Sequence, residues 1–335
     1  MPQTLLDLLR SCSAVDCDTL DAEVAKSLGP FVDCTSNQAI AYGELSKKNS
    51  DGNLKYQQLI LDSLAYAKSN ASDFPEVNVV ELAVEVATIK LAHLVAPYVT
   101  GYLHIQANPK YCYDKGLLIQ NSRRIAILSG RLNPDLGLQN ICIKILATWE
   151  GLQACAELQK QGIFTLATSI VSLQQAALAA SVGCAYMAPY INELRVHFDE
   201  SYVDEDKLMA IPGQIRRLYE KNGSKTVITV ASLTSITEIM QLAGSDHITI
   251  SPPLLAQLSQ TPADSFDKAD VGSVFEKSRK AEGDSVDSIE TEAAWRYAFS
   301  RDDNGEREVK MVRAINIFCN KQNDLEDLVR LCMSG

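Results

Sequence analysis

Eight short apolar segments, each separated from the next by sequence of helical character, constrain this chain more than any other feature. They fall at 14–19, 30–36, 101–107, 141–146, 164–170, 184–190, 225–231 and 247–252. Between them the spacing predicts helices at 38–48, 54–68, within 75–95, and at 115–129, 151–160, 173–180, 205–221, 236–243 and 254–258. In the longest of these, Val79, Leu82, Ala83 and Val86 recur at the interval of a buried helix face. Strands that are apolar on both faces belong to parallel sheets covered by helices. Eight such units in one chain predict an α/β fold, a (β/α)8 TIM barrel. The rival, a doubly wound open sheet, lacks a GxGxxG after any strand.

Outside the barrel, Thr4 and Asp7 predict a capped N-terminal helix with Leu5, Leu8 and Leu9 buried. The segment 261–288 is polar and reads as a surface loop or a partly disordered excursion. C-terminal helices over 290–332 follow, with Val309, Val312, Ile315, Ile317 and Leu325 expected to pack on the barrel. Nothing marks a second domain, so residues 1–335 are read as one.

A net charge of -11 argues against a nucleic-acid partner. The nine cysteines are scattered, with no CxxC, and the four histidines lack metal-ligand spacing. Neither a disulfide framework nor a metal site is expected. The N-terminus lacks a signal-peptide core, and the longest apolar run, near 91–99, is interrupted by His93 and Pro97. The chain is therefore read as soluble and cytoplasmic, with no membrane partner.

The stretch NICIKILATWEG, 140–151, concentrates the chemistry. Ile141, Ile143 and Ile145 alternate with Cys142, Lys144 and Leu146, and Thr148 is placed to cap the next helix. A lysine on a buried strand loses hydration, which disfavours the charged amine, and a neutral amine attacks carbonyls. A buried carboxylate partner, or a side chain snorkelling outward, would also explain Lys144. If Lys144 points inward, strand parity adds Asp16 and Asp18; Asp33, Thr35 and Asn37; Tyr102, His104 and Gln106; Thr168; and Ala188 with Tyr190. That is more polar surface than a barrel core of Val, Ile and Leu needs. Asp33 as a turn cap, and Thr168 and Tyr102 as ordinary strand residues, are the plainer alternatives.

ICIKILATWEG and DCTSNQAI, 33–40, are similar to the two signatures of the transaldolase family of Schiff-base aldolases. The segments 231–255 and 290–297 also resemble that family. The resemblance implies a barrel enzyme using a covalent lysine imine on a small carbonyl substrate, without metal or organic cofactor. It implies Lys144 as the Schiff-base lysine, Asp18 as general acid/base, and Thr168 as holder of the catalytic water. Thr35 and Asn37 would line the substrate site, and Asp33 would be structural. The family's glutamate on the third strand is expected at His104, its serine at Ala188 and its phenylalanine at Tyr190. Its phosphate-gripping arginines are expected at Glu193 and Thr234. Gln38 replaces the signature proline, and Leu146 a small residue. Gln106 and Ser232 complete the expected substrate site. His104 and Tyr190 are candidates to take over the glutamate's duties.

These departures lead to an expected aldol-type enzyme acting on a carbonyl compound other than a standard sugar phosphate, in specialised metabolism. An ordinary pentose phosphate pathway transaldolase and a catalytically silent scaffold are the alternatives. A homodimer is the candidate assembly.

Overall fold

The computed structural model describes residues 3–136, 140–279 and 291–334. Its centre is a closed, all-parallel barrel of eight strands in sequence order. The strands are β1 (Ala14–Asp18), β2 (Cys34–Thr35), β3 (Leu103–Gln106), β4 (Ile141–Leu146), β5 (Phe164–Ile170), β6 (Tyr186–Pro189), β7 (Val227–Val230) and β8 (His247–Ile250). β8 closes on β1 through Ala14↔His247 and Asp16↔Thr249. This is the (β/α)8 TIM barrel that the eight apolar segments predict. β4 is buried along all six residues, as a strand covered on both faces must be.

Most strands are shorter than expected, β2 most of all. The Asp33 amide donates to the Asp16 carboxylate at 3.0 Å instead of to a neighbouring strand. At the other end Asn37 already caps the helix Gln38–Leu45, its Oδ1 accepting from the Ile40 amide at 3.0 Å. Two residues of ladder remain between them.

Thr148 caps the helix Trp149–Lys160 as expected, accepting from the Gly151 amide at 2.9 Å. Gly151 is required there, because a Cβ would overlap the Leu146 carbonyl. Two helices went unread in the sequence. Ala22–Leu28, capped by Asp21, connects β1 to β2. Ser273–Arg279 lies in the segment expected to be loop, and corrects it over those residues. Its Phe275 is buried beneath the Arg216 guanidinium, 3.9 Å from the ring centroid. The remainder of that segment, 280–288, lies outside the described residues.

The N-terminal helix Leu5–Arg10 has the expected capping box, but Leu6 rather than Leu8 is buried with Leu5 and Leu9. At the C-terminus, helix Glu292–Arg301 docks through Trp295, whose Nε1 donates to Gln174 O at 3.1 Å. Helix Glu306–Ser334 buries Met311, Ala314, Ile315, Phe318, Leu325 and Val329. Val309 and Val312 face solvent, against expectation, because the helix phase follows Met311 and Phe318.

Charged groups are buried in the helical layer too. Glu81 and Glu85 sit on the core-facing helix Val79–Val95, and Arg124 reaches Glu85 at 2.7 Å. Asn108, just after β3, donates to Glu81 at 2.9 Å and to Asn121 at 2.8 Å. This satisfied network anchors the chain leaving β3.

Candidate functional site

Lys144 lies midway along β4, is 2% exposed, and has no hydrogen-bond or ion-pair partner among the described residues. A buried polar group without a hydrogen-bonding partner is costly unless it serves a ligand. It walls a cavity of about 280 Å³ together with Asp18, Asn37, Tyr190, Ser232 and Thr249. These residues lie at or just beyond the C-terminal ends of β1, β2, β6, β7 and β8. That end of such barrels carries the active site. Ile40, Leu194, Phe198 and Leu233 make the outer wall apolar.

Asp18 is held by a hydroxyl relay. Thr35 Oγ1 donates to Asp18 Oδ1 at 2.6 Å, and the Thr249 hydroxyl therefore donates to Thr35. Asp18 Oδ2 has no partner among the described residues. Across the barrel, Thr168 donates to the Tyr190 hydroxyl at 3.2 Å, which leaves the phenolic proton for another acceptor. Thr35, Thr168 and Ala188 are buried behind this wall and do not line the cavity themselves. Gln38, at the signature's proline position, reaches the carbonyls of Gln106 and Ala107 at 3.4 and 3.3 Å, bracing the end of β3.

His104 lies one level lower than the resemblance suggests. The residue paired with Lys144 across β3 and β4 is Gln106, whereas His104 pairs with Cys142. Gln106 is buried, and neither amide atom has a partner among the described residues. His104 Nε2 bonds Asp33 Oδ2 at 3.1 Å, in a layer with Asp16, Tyr186 and His247. His247 Nδ1 lies 3.0 Å from both Asp16 oxygens and 3.6 Å from Asp33. Burial alone would lower the His247 pKa, but the bond and charge of Asp16, with Asp33, raise it overall. Burial likewise pushes Asp33 up, and His104 with the Tyr102 amide more than offsets it.

Ligand atoms of Asp16, Asp33 and His247 fall within 4.8 Å of one another, a grouping that histidine spacing alone could not reveal. Asp16 Oδ1 and Asp33 Oδ1 already accept from the amides of Asp33 and Tyr102, at 3.0 and 2.7 Å. The imidazoles fill the remaining positions. The layer is a hydrogen-bonded polar floor beneath Lys144.

The two expected phosphate positions also turn from the cavity. Glu193 is buried, accepting from Tyr202 Oη at 2.8 Å and from Arg313 at 3.1 Å. Thr234 Oγ1 donates to Glu238 at 2.9 Å. Neither lines the cavity, so Glu193 opposes an anion less directly than its sequence position suggests. Arg195 is spent on Asp199 at 2.6 Å.

Sequence reasoning missed Thr249, Ser251, His197 and the apolar wall. Alternation along HITISP places Thr249 and Ser251 on the face of His247, so that signal was present. His197 ends a short turn of helix, Leu194–His197, and Phe198 follows it, with no periodic signal.

The barrel, with the family and relatives that match the chain, is that of an aldolase/transferase-type enzyme. The family described as Transaldolase/Fructose-6-phosphate aldolase matches residues 15–324, and the chain belongs to that family. A transaldolase of Alteromonas mediterranea is 29% identical over 335 residues, covering 98% of each chain. Transaldolase B of Pasteurella multocida is 30% identical over 263 residues, 76% of this chain and 79% of the relative. Among solved structures, a mandelate oxidase mutant aligns at a TM-score of 0.37 and 9% identity, over 74% of this chain and 67% of that one, too distant to carry an argument.

Proposed function

We propose that the enzyme makes or breaks a carbon–carbon bond next to a carbonyl through a Schiff base on Lys144, with a substrate that carries no phosphate. The observation behind this reading is the buried Lys144, unpaired among the described residues, in a cavity whose other described lining residues include Asp18 and no second lysine or arginine. The amine adds to the substrate carbonyl and gives a carbinolamine. Loss of water gives the iminium, an electron sink for the adjacent carbon–carbon bond.

In the cleavage direction Asp18 takes the proton of the β-hydroxyl as that bond breaks. The electron pair passes to the iminium nitrogen as an enamine, and the hydroxyl carbon leaves as an aldehyde. Thr35 keeps the carboxylate oriented through its 2.6 Å bond. The Tyr190 phenol is the donor to water or a hydroxyl on the other side, with Thr168 fixing its lone pair. Asn37 offers its amide NH2, since its Oδ1 is committed to the helix cap. His104 takes no step in this scheme, and the chemistry calls for neither metal nor organic cofactor.

Borohydride trapping with a panel of carbonyl compounds tests the reading. Wild-type protein should gain substrate mass at Lys144, and Lys144→Ala should gain none and lose turnover. A labelled and active Lys144→Ala protein would end the proposal. The names of the relatives favour a second reading, transfer between sugar phosphates. It requires activity on fructose 6-phosphate, which the first reading excludes.

A further inference from the structure

The rim of the cavity carries a polar device separate from the lysine and its aspartate. It is built on Ser232, whose backbone adopts φ 60°, a left-handed conformation uncommon outside glycine. Asn192 holds it there. The Asn192 amide and Nδ2 donate to Ser232 O at 3.1 and 2.8 Å, and Ser232 Oγ donates back to Asn192 O at 2.8 Å. A serine hydroxyl has one proton, and that bond uses it.

Toward His197 the serine can therefore only accept. The 3.0 Å contact between His197 Nε2 and Ser232 Oγ fixes the proton on Nε2 and leaves a lone pair on Nδ1. Nδ1 has no partner among the described residues. Desolvation lowers the His197 pKa, although the residue as a whole is exposed. Asp18 and Glu238 pull the other way without overcoming it. The neutral ring shares the cavity wall with Lys144 and Asp18, flanked by Leu194, Phe198 and Leu233.

We propose that the Asn192–Ser232–His197 chain is a recognition site, presenting Nδ1 to a neutral hydrogen-bond donor on the substrate's arm remote from the carbonyl. The donor it fits is an alcohol or phenol hydroxyl. A phosphate dianion has no proton to give and would meet a lone pair. A wholly apolar arm would leave the acceptor unanswered, and a site built around a hydroxyl discriminates best against the analogue lacking it. The inference rests on the substrate cavity described above and names what the cavity selects.

The test uses the full-length enzyme and a matched pair of probes, para-(hydroxymethyl)benzaldehyde and para-ethylbenzaldehyde. The readout is the ratio of concentrations that half-saturate borohydride labelling at Lys144. Wild type should prefer the hydroxyl compound by about tenfold, the size of one hydrogen bond at a partly open site. His197→Asn, which keeps an acceptor near the Nδ1 position, should retain most of that preference. His197→Gln, which keeps the bond to Ser232 but removes the acceptor, should lose it, as should His197→Phe. Nitrogen-15 NMR of the wild type should show the Nε2–H tautomer.

An Nδ1–H tautomer, or a hydroxyl preference unchanged in His197→Gln and His197→Phe, would overturn the inference. If neither aldehyde labels Lys144, the Schiff-base reading fails on its own account. The same ratio, measured as dissociation constants by calorimetry, then still decides the role of His197.

Discussion

Gln106 on β3 and Lys144 on β4 are register partners, so they share a face and a level of the barrel. His104 sits two residues below, about 6.6 Å down the strand, bound to Asp33. An amide can hold a water or a substrate hydroxyl beside the lysine, but it cannot trade protons there at ordinary pH. Gln106→Leu should therefore lower kcat/KM by on the order of tenfold or more, with the melting temperature unchanged or raised. His104→Gln should do the reverse, costing on the order of 1–3 kcal/mol of stability and leaving the acidic limb of the pH–rate profile in place. A shifted acidic limb in His104→Gln would return that histidine to the chemistry.

Asp18 depends on Thr35 for its orientation. Asp18→Asn should reduce turnover by about 10²–10⁴ without loss of fold, the range for a positioned acid/base group. Thr35→Val removes the 2.6 Å bond to Asp18 together with the acceptor of Thr249, keeps the carboxylate, and should cost less, on the order of tenfold. Equal losses in the two variants would mean that the hydroxyl relay, not the carboxylate, is the essential part.

The strand pattern made the barrel legible, and parity put Asp18, Thr35 and Lys144 on its axis. Parity names a face of a strand but not a level, which is why His104 was expected beside Lys144, at the level where the register places Gln106. Level follows from register between strands, and register here depends on pairings such as Leu103↔Ile141 that no single segment encodes. The Asp16–His247 pair was illegible for the same reason, since it joins the first strand to the last. Glu193 lies in a loop with no period to read. Its partner Arg313 comes from the C-terminal helix, 120 residues away.

The polar floor makes stability depend on pH. The folded His247 pKa is raised above its ordinary 6.5, so its contribution is complete below 6.5 and is lost as pH rises through the folded value. Asp33, depressed below 3.8, contributes above 3.8 and loses its share as pH falls through its folded value. Burial raises Glu85 to about 7 despite Arg124, which adds a second loss on the alkaline side. Urea unfolding should therefore show greater stability near pH 6 than near pH 9. His247→Gln should shrink that difference without abolishing it, because Glu85 remains. A wild-type stability that climbs over this interval would contradict the assignment.

Phosphate is the sharpest question about the substrate. A dianion entering a partly desolvated cavity needs charge-assisted hydrogen bonds. Lys144 is the one lysine or arginine among the described residues lining the cavity, and a Schiff base would occupy it. Transfer between fructose 6-phosphate and erythrose 4-phosphate should accordingly be negligible, and inorganic phosphate should not compete with a carbonyl substrate. Restoring arginines at Glu193 and Thr234 would not build the missing site. Arginine at 193 would replace a buried carboxylate, leave Tyr202 without its acceptor, and set a cation against Arg313. A loss of on the order of 3–5 kcal/mol is expected instead. Phe198 is the better position, because it lines the cavity and is 44% exposed, so an arginine there can stay hydrated. Phe198→Arg should make inorganic phosphate a competitive inhibitor where it was none, at least tenfold more effective than on wild type, with little change in melting temperature. Vigorous sugar-phosphate transfer by the wild-type enzyme at ordinary concentration would refute this account and make the sugar-phosphate reading the correct one.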